Sequence, residues 1–300
     1  MKFGVCIPHY GRPVIDVDGL TEMASKAEEM GFDSVWVTDH IIVPHVIPDR
    51  PDIVYRYNML EPLALMSHLG AVTRRVNLGT SVVILPYRNP VVLAKTIATA
   101  DVLSHGRVIF GAAIGWMEGE FQALSAPFPN RARVSDEYLR LLKELWTTPT
   151  PTFQGQYFQV SDVTFSPMPV QQPHPPIWIG GRSRGAIRRA VKYGDFWHPT
   201  QMGPKELSGE AAYLREYSAS AGRKDPPQLS FRGNLKFASA STPGERPPLQ
   251  GTTREVIADV EEYARVGVSH IIMEIPGDTY TDKFRAMERF LKEVKSRVPA

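Results

Sequence analysis

The chain has 300 residues, 43% hydrophobic and 22% charged, with a formal net charge of +2. That length suits one large barrel or two ordinary domains, and the composition is that of an average globular protein able to bury a sizeable core. A charge so close to neutral, with no basic run, argues against a nucleic-acid partner, and the single cysteine, Cys6, excludes a disulfide framework or a Cys-rich metal knuckle. No apolar run reaches the ~18 residues of a membrane span, and the apolar N-terminal stretch is too short for a signal peptide. The expectation is therefore a cytoplasmic protein with no membrane or nucleic-acid partner.

Short β-branched runs alternate with amphipathic stretches from end to end. Phe3 to Ile7 reads as a first strand. Leu20, Met23, Ala24, Ala27 and Met30 recur at helical spacing, with Asp18 as the expected cap and Gly31 as the stop. Ser34 to Thr38 is a second buried strand, and a polar loop runs from Asp39 to Asn58. A helix from about Met59 to Thr73 leads into a strand from Val76 to Leu85. Asn89-Pro90 opens the next helix, with Asn as cap and Pro at the first helical position. That helix ends near His105-Gly106. Arg107 to Gly115 is a fourth strand and Ser135 to Trp146 a helix.

Ile177 to Ile179 reads as a fifth strand, Arg184 to Tyr193 as a helix, and Phe196 to His198 as a sixth strand. Pro204 to Ala221 is helical and Leu229 to Phe237 a seventh strand. Thr252-Thr253-Arg254-Glu255 is a capping box opening a helix to Val266. His270 to Ile275 is an eighth strand, followed by a helix to the C-terminus. Eight strands each followed by a helix predict a parallel (β/α)8 TIM barrel built through right-handed crossovers, in preference to an open doubly wound sheet. One domain over 1–300 is expected, with insertions at about 39–58, 147–176 and 238–251, the second holding a hairpin near Gln154-Gly155-Gln156.

In such a barrel the C-terminal ends of the strands carry the chemistry. Those ends bring up His9 and Tyr10, Asp39 and His40, Ser81, Trp116 with Glu118 and Glu120, Gly180 to Arg184, His198 and Glu274. Asp39-His40 places a carboxylate beside an imidazole, a pair able to orient a hydride acceptor, shuttle a proton or bind a cofactor ring, or simply to cap the loop and fill the barrel mouth. Gly180-Gly181-Arg182-Ser183 joins a strand to a helix, where bare backbone and free N–H groups suit a phosphate, or simply make a tight strand-to-helix turn with solvated arginines after it. Arg184, Arg188 and Arg189 add positive charge nearby. His9, Asp39, His198 and Glu274 are the residues from which a metal-dependent hydrolase or isomerase site would be built, but no metal is expected, because no His-x-His or His-Glu-x-x-His is present. There is no Gly-x-Gly-x-x-Gly dinucleotide turn and no Gly-x-Ser-x-Gly elbow, and Cys6 reads as buried rather than nucleophilic.

Taken in order, several stretches resemble the luciferase-like monooxygenase superfamily, in particular its coenzyme F420 (deazaflavin)-dependent oxidoreductase branch. They are Asp33 to His40, Leu78 to Val82, Pro86-Tyr87-Arg88-Asn89-Pro90, Leu103 to Arg107, Gly115-Trp116 with Glu120-Phe121, and Ile177 to Ser183. The resemblance implies a barrel holding F420, or alternatively FMN in a monooxygenase supplied by a separate reductase. It implies that Asp39 and His40 contact ring or substrate, that Ser81 and Val82 press on the ring across a cis peptide bond, and that Gly180, Gly181, Arg182 and Ser183 hold the phosphate. His40 is the expected proton carrier, with Asp39 orienting it or the ring and Glu120 close by. His9, Trp116 and His198 would line the substrate pocket. Trp116 stands where the sugar-phosphate-oxidising members carry a Glu. The resemblance also implies a homodimer.

Overall fold

A computed structural model describes residues 1–12, 15–45, 58–241 and 244–298, excluding the side chains of 11 and 12. Most of the expected 39–58 loop therefore lies outside the described residues. Eight parallel strands close into a barrel: β1 (Lys2–Cys6), β2 (Ser34–Val37), β3 (Asn77–Thr80), β4 (Val108–Ala113), β5 (Ile177–Gly180), β6 (Phe196–His198), β7 (Gln228–Asn234) and β8 (Val268–Glu274). Each pairs with the next, and β8 returns to β1. Each strand is followed by a helix: α1 (Val17–Met30), α2 (Pro62–Val72), α3 (Pro90–Leu103), α4 (Arg131–Thr147), α5 (Arg184–Tyr193), α6 (Pro204–Ser220), α7 (Thr253–Val266) and α8 (Tyr280–Arg289). The chain is a (β/α)8 barrel. No described helix is long and apolar enough to cross a membrane.

Local chemistry sets most boundaries. Asn89 caps α3 by accepting N–H bonds from Val91 and Val92, and Thr252 with Glu255 forms the expected capping box. Gly31 closes α1 in the left-handed region at φ 84. The cap of α1 is Asp16, not Asp18: its carboxylate accepts the Gly19 N–H at 2.8 Å, leaving Asp18 in the first turn. The expected hairpin is present as Phe153–Gln154 paired with Gln159–Val160, pinned by three backbone N–H groups donating to Glu137. Arg107 is buried and donates to the Gly70, Thr73, Val76 and Ser104 carbonyls, tying α2 and α3 to the base of the barrel.

Two expected strands are broken. The Val76–Leu85 stretch stops at Thr80 and resumes at Val83–Ile84, with a cis peptide bond between Ser81 and Val82. Thr80 Oγ1 fills the gap, donating to Gly111 O at 2.8 Å and accepting the Gly111 N–H at 2.9 Å. A Cβ on Gly111 would lie 1.8 Å from the Thr80 carbonyl, so only glycine fits there. The Leu229–Phe237 stretch ends at Asn234, and Lys236–Phe237 pairs instead with Gln250–Gly251.

The apolar core lies mainly between strands and helices, with a smaller cluster of Cys6, Trp36, Ile109, Trp178 and Ile272 inside the barrel. Trp36 fits there because Gly79 has no side chain: a Cβ would come within 2.3–2.5 Å of the indole. The register sets Gly180 beside His198 and Asn234 beside Glu274, so strand-end side chains converge on one mouth.

Candidate active site

That mouth holds a cavity of about 530 Å³. Of the residues singled out from sequence, Tyr10, Asp39, His40, Ser81, Val82, Trp116, Gly180, Gly181, Ser183, His198 and Glu274 line it. Glu120, Arg182 and His9 do not.

Glu120 sits directly behind the wall. It lies on a short helix, Glu118–Ala123, that the strand–helix rhythm did not reveal, and is fully buried. Its Oε1 accepts the N–H groups of Ile41 and Ile42 at 2.6 and 3.2 Å, and its Oε2 accepts from Tyr87 Oη at 2.9 Å and lies 2.8 Å from His40 Nδ1. A carboxylate so surrounded by donors only accepts, so the His40 proton sits on Nδ1 and Nε2 is the acceptor nitrogen of the ring. Glu120 orients His40, the role the sequence reading gave to Asp39.

Asp39 is committed elsewhere. Arg88 grips both of its oxygens, Nη1 to Oδ2 at 2.6 Å and Nη2 to Oδ1 at 3.0 Å, and Ile84 N–H donates to Oδ2 at 2.8 Å. Burial pushes the Asp39 carboxyl up, opposed by this Arg88 fork and the Ile84 amide. Arg88 Nη2 also reaches Glu61 at 2.6 Å, the residue that caps α2. Asp39 thus ties the chain just after β2 to the segment 83–88 that follows β3.

A second polar chain crosses the cavity floor. Ser230 Oγ lies 2.7 Å from His198 Nδ1, and His198 Nε2 lies 2.8 Å from Ser81 Oγ. Arg232 Nη1 donates to the Ser81 carbonyl and, at 3.0 Å, to Ser81 Oγ, while its Nη2 pairs with Glu274. Burial drives His198 down to about 3, helped by Arg232 and His270, so it is a neutral relay. Burial alone would lower the Arg232 pKa, but Glu274 holds it above the usual arginine value. Arg88 and Arg232 were assigned no role from the sequence. The signal for Arg232 was the period of two that turns Ser230, Arg232 and Asn234 to one face of β7.

At the β5–α5 turn, Gly181 adopts φ 121 and Ser183 caps α5 through Ala186 N–H at 3.2 Å. The arginines divide. Arg182 points out to Glu206 at 2.9 Å, and Arg184 and Arg188 turn to Tyr213 on α6. Only Arg189 lines the cavity, anchored by Asp136 at 2.6 Å. His9 is buried behind Thr38, whose N–H donates to its Nε2 at 2.9 Å, and burial lowers it to about 4. Trp116 is 42% exposed at the rim, Trp36 fills the barrel interior, and Trp197 donates from Nε1 to the Gly181 carbonyl. His9, Asp39, His198 and Glu274 each face a different partner, and among the described residues no group of three or more His, Cys, Asp or Glu is placed to hold a metal.

A closed barrel with a buried acid–imidazole pair beside a cavity at the C-terminal mouth is the architecture of a barrel enzyme. The family described as luciferase-like monooxygenase matches residues 1–247, and the chain belongs to that family. It is 30% identical to the F420-dependent glucose-6-phosphate dehydrogenase of Kineococcus radiotolerans, across 92% of this chain and 91% of that protein. It is also 30% identical to the FMNH(2)-dependent dimethylsulfone monooxygenase of Pseudomonas putida, across 55% of this chain but only 46% of that protein's length. In fold it matches monooxygenase RslO1 from Streptomyces bottropensis with a TM-score of 0.83, at 20% identity over 99% of both chains.

The cavity suits a flavin or deazaflavin. Its volume falls within the ~300–1,000 Å³ of cofactor sites. The bare backbone of Gly180 faces the Val82 side chain, where a Cβ would come within 3.0 Å of both Val82 methyls, and Gly181 also lines the cavity without a side chain.

Proposed function

We propose that the chain is an F420-dependent oxidoreductase that moves hydride between the deazaflavin and a small organic substrate. The observation that carries this reading is His40 at the cavity wall with Nδ1 bonded to buried Glu120 at 2.8 Å. The relative matched over nine-tenths of both chains, named as F420-dependent, supports it.

Bound in the cavity, the deazaflavin supplies the hydride site. Ser81 and Val82 would meet one face of its ring, with His198 and Arg232 holding Ser81 in place. Gly180, Gly181 and Ser183 at the start of α5, with Arg189 further along that helix, would receive its phosphate. His40 would take the hydroxyl proton of an alcohol, or return one to a carbonyl, through Nε2. Glu120 stabilises the imidazolium formed on the way.

The test is a fluorescence titration of the purified protein with F420 and, separately, with FMN. Micromolar or tighter binding of F420, with FMN at least tenfold weaker, is the expected result. Preference for FMN would move the reading to an oxygen-using monooxygenase, and failure to bind either would leave only the fold in common.

A further inference from the structure

The charges around the cavity are already neutralised from within. Among the described residues, each acid or arginine lining it faces an opposite charge: Asp39 meets Arg88, Arg189 meets Asp136, and Arg232 meets Glu274. A phosphorylated substrate needs an unpaired cation or several charge-assisted donors where its phosphate lies, and away from Arg189 and the β5–α5 turn, on the β6–β8 side, none is left over among the described residues.

What that side offers instead is neutral hydrogen bonding. Gln201 and Asn234 line it, and among the described residues neither side-chain amide has a partner. Gln201 is held in the left-handed region at φ 49, unusual without glycine, by its own N–H donating to Arg232 O at 2.8 Å. Register places Asn234 beside Glu274, whose Oε1 is taken by Arg232 and whose Oε2 has no partner among the described residues. Two amides and a carboxylate oxygen converging on one wall are a set of donors and acceptors matched to hydroxyl groups.

We infer that the substrate is an uncharged, hydroxyl-bearing compound, a polyol or unphosphorylated sugar, with Gln201, Asn234 and Glu274 determining specificity. This rests on the F420 reading above. The carbinol C–H bond breaks with its hydride passing to oxidised F420, the O–H proton goes to His40, and a carbonyl is left on the substrate.

The experiment compares glucose, sorbitol and glucose 6-phosphate as substrates of the F420-loaded protein, following loss of oxidised cofactor. Binding of the same compounds is read in parallel by the shift in Tm. A neutral member of the set should show a kcat/KM at least tenfold above glucose 6-phosphate. Asn234→Ala should raise its KM at least fivefold with kcat within twofold. Glu274→Gln, which releases the Arg232 charge, should move the ratio at least tenfold toward glucose 6-phosphate. If F420 binds but glucose 6-phosphate is preferred, or neither neutral compound binds or reacts, or Asn234→Ala leaves KM unchanged, the inference is overturned while the F420 reading stands. If F420 itself fails to bind, it is the functional reading that falls.

Discussion

Replacing Glu120 by Gln tests the buried pair with almost no change of shape. The carboxylate accepts four hydrogen bonds, two from the Ile41 and Ile42 amides through Oε1 and two from Tyr87 and His40 through Oε2. A Gln amide has one acceptor and one donor end. If its NH₂ faced the two backbone N–H groups, three donors would collide, so the NH₂ turns to Tyr87 and His40. His40 must then accept through Nδ1, which puts its proton on Nε2 and removes the acceptor offered to the substrate. At about 1.5–3 kcal/mol per hydrogen bond to a charged group, losing the two on Oε2 costs about 3–6 kcal/mol, part of it recovered by the new Nδ1 bond. Losing the positioned base lowers kcat by about 10²–10⁴. The assay is single-turnover hydride transfer with F420 affinity measured alongside. Affinity within threefold of wild type and a rate at least a hundredfold lower is the expected outcome. A rate within threefold of wild type in a folded, F420-binding variant would refute the His40–Glu120 relay.

Burial holds His198 and His270 at about 3 and His9 at about 4, against an ordinary value of 6.5. The unfolded chain therefore binds more protons below pH 6.5, and stability is complete above that value and falls as pH drops toward 3–4. At pH 5 each histidine costs ~2 kcal/mol and the three together ~6 kcal/mol, so the Tm should fall steadily from pH 7.5 to 5, and a flat profile contradicts the burial argument. Gly79→Ala drives a methyl into Trp36 and should cost about 1–3 kcal/mol, read by chemical denaturation; an unchanged midpoint would mean that the indole is not packed there. Arg182→Ala, which breaks only an exposed pair with Glu206, should leave F420 affinity within twofold. Arg189→Ala should weaken it at least tenfold, and equal effects of the two would remove the distinction between them.

The sequence by itself determined the alternation of eight strands and eight helices, the caps at Asn89 and Thr252, the stop at Gly31, and the strand ends on which His40, Ser81, Gly180 and His198 stand. These depend on periodicity and on hydrogen bonds between residues a few positions apart, so the signal lies within a short window of chain. The cis bond between Ser81 and Val82 was also expected, though from resemblance rather than pattern, while the break of the strand around it was not. Tertiary structure alone decided who serves whom. It put Glu120, eighty residues away, under His40, gave Asp39 to Arg88, sent Arg182, Arg184 and Arg188 outward while Arg189 turned in, and joined Arg232 to Glu274. Charged side chains have long stems and no periodicity of their own, and their partners are chosen by which strands lie side by side and by the cost of burying a charge unpaired. That cost is set only once the barrel has closed.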